Sequence, residues 1–108
     1  MSVTDEDVAF IRDLFSDIPE LSHRKMMGGL SLYSDGKIFA IMSAEGRIYV
    51  KATGVLADDL AAEGADIFSM TRKDGKVASM GYWTLPESAL DDPEEAAMWG
   101  RRALTEQT

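Results

Sequence analysis

The chain has one histidine, His23, and no cysteine. Without cysteine, disulfides, thiolate nucleophiles and cysteine-based zinc sites are excluded. A metal site on His23 needs carboxylate partners, and a triad needs a nucleophile in a recognisable turn. Serine and threonine are scattered with no nucleophile elbow around them, so His23 reads as an ordinary strand residue. The acids Asp91, Asp92, Glu94 and Glu95 lack the spacing and glycine of a calcium loop. A helix start explains them through capping and the helix dipole. Gly28-Gly29, preceded by Arg24 and Lys25, resembles a turn that lets backbone N–H groups meet a phosphate. It lacks the P-loop spacing and the helix that follows a dinucleotide fingerprint, so the simpler reading is a strand bend where a Cβ would clash. The expectation is a non-catalytic chain with no cofactor and no metal.

One further pattern carries chemistry. Arg24, Lys25, Lys37, Arg47, Lys51, Arg72, Lys73 and Lys76 are interleaved with Tyr33, Tyr49, Tyr82 and Trp83. Bases can stack on such aromatics while cations track phosphates. The alternative is that aromatics build a core and cations guard sheet edges. Charge distribution favours the second. Of the net −8, residues 1–21 carry six acids and one base, and residues 80–108 six acids and two bases, whereas residues 22–79 carry eight bases and seven acids. An acidic chain repels the phosphate backbone, so tight autonomous DNA binding is not expected. Tyrosine and arginine are enriched at interface hot spots, which makes Arg24, Lys25, Arg47, Tyr49 and Lys51 a candidate surface for a protein partner, a second copy in a homodimer included. A small-ligand or nucleic-acid-binding module using the same sheet residues is the competing reading.

The elements that must position these residues follow from local signals. Thr4 with Asp5, Glu6 and Asp7 forms a capping-box variant, and Val8, Ile11, Leu14, Phe15 and Ile18 make a helical stripe that Pro19 ends. Strands are expected over 22–27, 30–34, 37–43 and 47–52, with Gly28-Gly29 as a bend and Asp35-Gly36 and Glu45-Gly46 as turns. Ile38, Ala40 and Met42 alternate with Phe39 and Ile41, which predicts a sheet covered in part on both sides. Residues 55–62 form a short helix stopped by Gly64. A hairpin over 66–72 and 76–84 turns at Asp74-Gly75 and ends at Leu85-Pro86. Asp92-Pro93 opens the last helix, with Pro at the first helical position. The order α-ββββ-α-ββ-α makes an α+β fold, an antiparallel sheet of five to six strands with helices packed on it. Its core should include Leu14, Phe15, Ile38, Ile48, Val50, Phe68, Trp83 and Leu104.

At 108 residues the chain fits a single domain, residues 1–108. The acidic N-terminus lacks the basic flank and apolar run of a signal peptide, and no apolar stretch approaches the roughly 20 residues of a membrane span. A cytoplasmic protein is expected.

Arg24-Lys25-Met26-Met27-Gly28-Gly29, Leu32-Tyr33, Asp35 through Ala40, Gly46 through Lys51 and Met80 through Pro86 together resemble the N-terminal domain of the TfoX/Sxy family of bacterial competence regulators. The resemblance runs from about Asp5 to about Leu104 in unbroken order. It departs at Met27, where the family usually has Phe; longer members carry a helical C-terminal domain, and a stand-alone N-terminal domain is expected here. The resemblance implies the same α+β fold, with Gly28, Gly29, Gly36, Gly46, Gly75 and Pro86 as structural positions. It also implies a role in transcription regulation.

Overall fold

The computed structural model describes residues 3–26, 28–71 and 77–106. The Asp74-Gly75 turn, together with Met27, Arg72, Lys73 and Lys76, lies outside the described residues. The chain runs α1 (Asp5–Leu14), β1 (Leu21–Met26), β2 (Gly29–Ser34), β3 (Lys37–Met42), β4 (Ile48–Lys51), α2 (Gly54–Ala62), β5 (Ile67–Thr71), β6 (Val77–Thr84), a 3₁₀ turn (Glu87–Ala89) and α3 (Pro93–Glu106). The strands form one antiparallel sheet in the order β1-β2-β3-β4-β6-β5, which is the α+β architecture the turn signals imply.

The local signals act as expected at most ends. Asp7 N donates to Thr4 Oγ1 at 3.2 Å while Thr4 N donates to the Asp7 carboxylate at 2.9 Å, closing a capping box. Asp92 Oδ1 accepts from the backbone of Glu94 and Glu95 at 3.1 and 3.3 Å, and Pro93 follows at the first helical position. Gly36 and Gly46 take φ of 79° and 86° in their turns. At Gly29 the reason for glycine is contact: an added Cβ would lie 2.6 Å from the Met42 carbonyl oxygen on β3. Pro86 follows β6 and leads into the 3₁₀ turn, its carbonyl accepting from Ala89 N at 2.9 Å.

Helix α1 stops before Pro19. Regular helix ends at Leu14, and two tighter turns, Ser16 N to Asp13 O and Ile18 N to Phe15 O at 3.2 and 2.9 Å, carry the chain onward. That winding keeps Phe15 and Ile18 buried beside Ile11 and Leu14.

All three helices lie on one side of the sheet. Phe15 of the α1 exit meets Phe39 edge-on, with ring centroids 5.3 Å apart, and α3 approaches so closely that a Cβ on Gly100 would lie 3.2 Å from the Phe39 ring. Helix α2 joins the same layer through Leu56 and Leu60 in the core and through α3: Arg102 donates to Asp59 at 2.6 Å, and the Glu106 carboxylate accepts from Thr53 N and Leu56 N at 3.0 and 3.3 Å. Trp99, buried in α3, donates its indole N–H to Glu95.

Strand β3 departs from simple alternation. Leu32 pairs with Ala40 but Tyr33 pairs with Ile38, so Phe39 is an extra residue, a β-bulge. The bulge turns Phe39 inward beside Ala40, both fully buried, and leaves Ile38 half-buried. Ile38 is therefore not a core residue. Leu14, Phe15, Ile48 and Val50 are buried as expected, whereas Trp83 and Leu104 pack partly buried against the core and Phe68 is half-buried. The helices cover one face rather than two.

Candidate interaction face

Directly paired residues on antiparallel strands point to the same side, so the register defines what each face presents. Lys25, Leu30, Met42 and Ile48 form one row, and His23, Leu32, Ala40, Val50 and Trp83 another. Both rows face the helices. Arg24, Ser31, Ile41, Tyr49 and Thr84 line up on the opposite face, with Tyr33 paired to Ile38 and Tyr82 paired to Lys51 beside them. Tyr49 is only 8% exposed yet stands outside the continuous core; neighbours on its own face shield it.

Those neighbours form a compact cluster. The Tyr49 ring meets Phe68 edge-on at 4.9 Å, and the Arg47 guanidinium lies 5.9 Å from the Tyr49 ring centroid. Arg47 donates to Asp66 at 2.9 Å, with both side chains more than half exposed. The hydrogen bond to Asp66 is the main cause that raises the Arg47 pKa above its ordinary value. Burial raises the Tyr82 pKa, with a smaller push from Tyr33. Thr84 Oγ1 accepts from Asp66 N at 2.9 Å, which holds the start of β5 against β6. At the end of β4 and β6, beside Arg47, a cleft of about 390 Å³ is lined by Ile48, Glu63, Leu85, Pro86 and Leu90 among others.

Of the five candidate surface residues, Arg24, Tyr49 and Lys51 share the helix-free face, and Arg47 joins them over the Tyr49 ring. Lys25 does not. It points to the helix side and pairs with Asp5 of α1 at 3.4 Å, both groups well exposed. Strand alternation alone separates Arg24 from Lys25. His23 is also on the helix side, where its Nδ1 accepts from Arg12 at 2.9 Å. No local pattern signals that contact, or Phe68 and Asp66 as companions of Tyr49 and Arg47, because each joins different elements of the fold.

Among its described residues the face presents aromatic rings and cations. Among the described residues no group of three or more His, Asp or Glu side chains is set to hold a metal ion, and no helix is long and apolar enough to cross a membrane. The acids at the start of α3 are occupied locally: Asp92 caps the helix, and Glu95 accepts from Ser88 and Trp99 at 2.8 and 3.2 Å.

No curated protein matches the chain. The family model of the TfoX N-terminal domain matches residues 13–107, from the end of α1 through α3. With its order of elements and the Arg24–Gly29, Asp35–Ala40 and Gly46–Lys51 segments inside that match, the chain belongs to the TfoX N-terminal domain family.

Proposed function

We propose that this chain is a non-catalytic regulatory or accessory protein of bacterial transcription, competence control included, that works in the cytoplasm by binding another protein through the helix-free face of its sheet. The observation that carries the reading is the Arg47–Tyr49–Phe68 cluster with Arg24 and Lys51 on the same face. Rigid aromatics beside arginine are the residues from which interface hot spots are built. The regulatory part rests on the resemblance to the family's competence regulators. Acids dominate both ends of the chain and include those of α1 and the start of α3, so a nucleic acid meets repulsion at long range.

Capture from native bacterial lysate tests this, with wild type, Arg24→Glu/Lys51→Glu and a control reversal in α1, Glu6→Lys, run side by side. A stoichiometric protein retained by wild type and the α1 variant, and lost by the sheet-face variant, is the expected result. Nucleic acid as the sole co-purified species, with submicromolar duplex affinity by fluorescence anisotropy that falls steeply with salt, would replace the reading with the nucleic-acid one.

A further inference from the structure

The sheet has two edges, and they differ. Edge strand β5 has an irregular register between Ile67 and Ser69. At the other edge, β1 pairs with β2 without interruption from Leu21↔Ser34 to Met26↔Gly29. Its sequence, LSHRKM, contains no proline, so every residue keeps its N–H. Ser22, His23, Arg24 and Lys25 are exposed, and β1 has no strand on its outer side among the described residues. An unbroken, exposed edge is a template for another strand; proteins usually blunt such edges with bulges, prolines, covering segments or charge. Here the Arg12 side chain donates to the Leu21 carbonyl at 3.4 Å and covers the start of the edge, and from His23 to Lys25 charge is the device left.

That charge is one-signed on both sides of the strand. Arg24 points to the helix-free side, where no ion pair meets it among the described residues, and Lys25 points to the helix side, as does His23 with Arg12 at 2.9 Å. Asp5 is the counter-ion of Lys25, but the pair is 3.4 Å long and exposed, and such pairs are weak and readily exchanged. A second copy pairing β1 with β1 around a two-fold axis would set this Arg-Lys pair against itself, and like charges across strands destabilise. An extended segment with acids on both of its faces meets Arg24 on one side and Lys25 on the other while its backbone completes the ladder.

We propose that β1 is a strand-addition site for an extended acidic segment of a protein partner, in which main-chain hydrogen bonds to Leu21–Met26 supply affinity and Arg24 and Lys25 select for acids. The site is a strand edge and shares only Arg24 with the sheet-face reading; protection of the β1 amides and the role of Lys25, which lies on the other face, tell the two apart.

The test uses the full chain and a capped eight-residue peptide, Glu-Glu-Val-Val repeated twice, which sets acids on both faces of an extended strand, with its Lys-Lys-Val-Val counterpart as control, followed by NMR amide shifts and hydrogen exchange. The Glu peptide is expected to saturate, to slow exchange of amides within residues 21–26 at least tenfold, and to leave the 67–71 edge unchanged. Arg24→Glu/Lys25→Glu, on an exposed strand, should keep the melting temperature and reverse the preference toward the Lys peptide. Wild type alone supplies a second check: a tenfold rise in ionic strength should weaken the Glu peptide at least severalfold. No binding, protection at β5 instead of β1, an unreversed preference or salt-independent affinity overturns the proposal. So does equal protection of residues 21–26 by a single-stranded oligonucleotide, which would make the strand a track for phosphate.

Discussion

Replacing Phe39 with Ala, and Ile38 with Ala beside it, weighs the bulge in β3 against strict alternation. Phe39 is 0% exposed, sits edge-on to Phe15 and lies under Gly100 of α3, so its removal opens a void walled by three elements. Truncating a buried Phe costs about 3–5 kcal/mol, and loss of an edge-to-face partner falls within that range or adds up to about 1 kcal/mol. Domains of this size have about 5–15 kcal/mol in total, and each kcal/mol moves the melting temperature by roughly 4 °C or more. Phe39→Ala should therefore lower the melting temperature by about 12–20 °C or leave the chain unfolded. Phe39→Leu, which keeps most of the volume, should cost about 1–2 kcal/mol and remain measurable in either event. Ile38 is half-buried on the other face, and Ile38→Ala should cost about 1 kcal/mol, since only part of its side chain leaves water. Urea melts with fitted midpoints and slopes read all three variants. Strict alternation puts Ile38 inside and Phe39 outside. A larger loss for Ile38→Ala than for Phe39→Ala would refute the bulge, and a Phe39→Leu variant as stable as wild type would refute its packing.

Three other outcomes are expected. Glu106→Ala removes the carboxylate that accepts from Thr53 N, Thr53 Oγ1 and Leu56 N, so α2 loses its N-terminal acceptor at a cost of about 1–2 kcal/mol in denaturant melts; a loss under about 0.3 kcal/mol would show that water serves as well. Gly29→Ala forces a Cβ against the Met42 carbonyl and should lower stability by about 1–3 kcal/mol, while Arg24→Ala, on an exposed edge, stays within about 0.5 kcal/mol; the reverse ranking would make Arg24 a structural anchor. Tyr82 is held protonated in the folded state, so its contribution is complete below the ordinary tyrosine pKa of about 10 and is lost as pH rises through the folded value. Tyr82→Phe should thus flatten the decline of stability above about pH 10, and an unchanged decline would assign that titration elsewhere.

What the sequence made legible was what the chain decides within a few residues. Asp35-Gly36, Glu45-Gly46, the Thr4 box and Asp92-Pro93 each fix a turn or a helix start from neighbouring atoms alone, and each lies where the local chemistry puts it. The bulge is different. Five apolar residues from Ile38 to Met42 satisfy either phase of a two-residue period, and the choice is made by Phe15 and Gly100, which reach Phe39 from far along the chain. Trp99, absent from the core expected from the sequence, is buried on the same helical face as Ala96 and Ala103, a spacing of three and four that carries the signal. The cluster around Tyr49 was legible by half: period two puts Tyr49 and Lys51 together and parts Arg24 from Lys25, but Asp66 and Phe68 arrive only because β5 lies outside β6.

That strand order also governs how the molecule can assemble. Strands β1 to β4 join neighbour to neighbour through turns of a few residues, whereas β4 meets β6 through Tyr49↔Thr84, Val50↔Trp83 and Lys51↔Tyr82, extended by Ala52 N to Gly81 O and Leu85 N to Ile48 O, with α2 and β5 intervening. Closing that longer loop costs roughly 2–3 kcal/mol more chain entropy than closing a hairpin, by the logarithmic dependence on length. That seam is thus the boundary between two pieces that can each gather locally, while the Arg102–Asp59 pair and the Glu106 carboxylate hold α2 to α3 away from it. The Arg47–Asp66 bond and the Tyr49–Phe68 contact straddle that boundary, so whatever binds the Tyr49 cluster also fastens the two pieces of the sheet to each other.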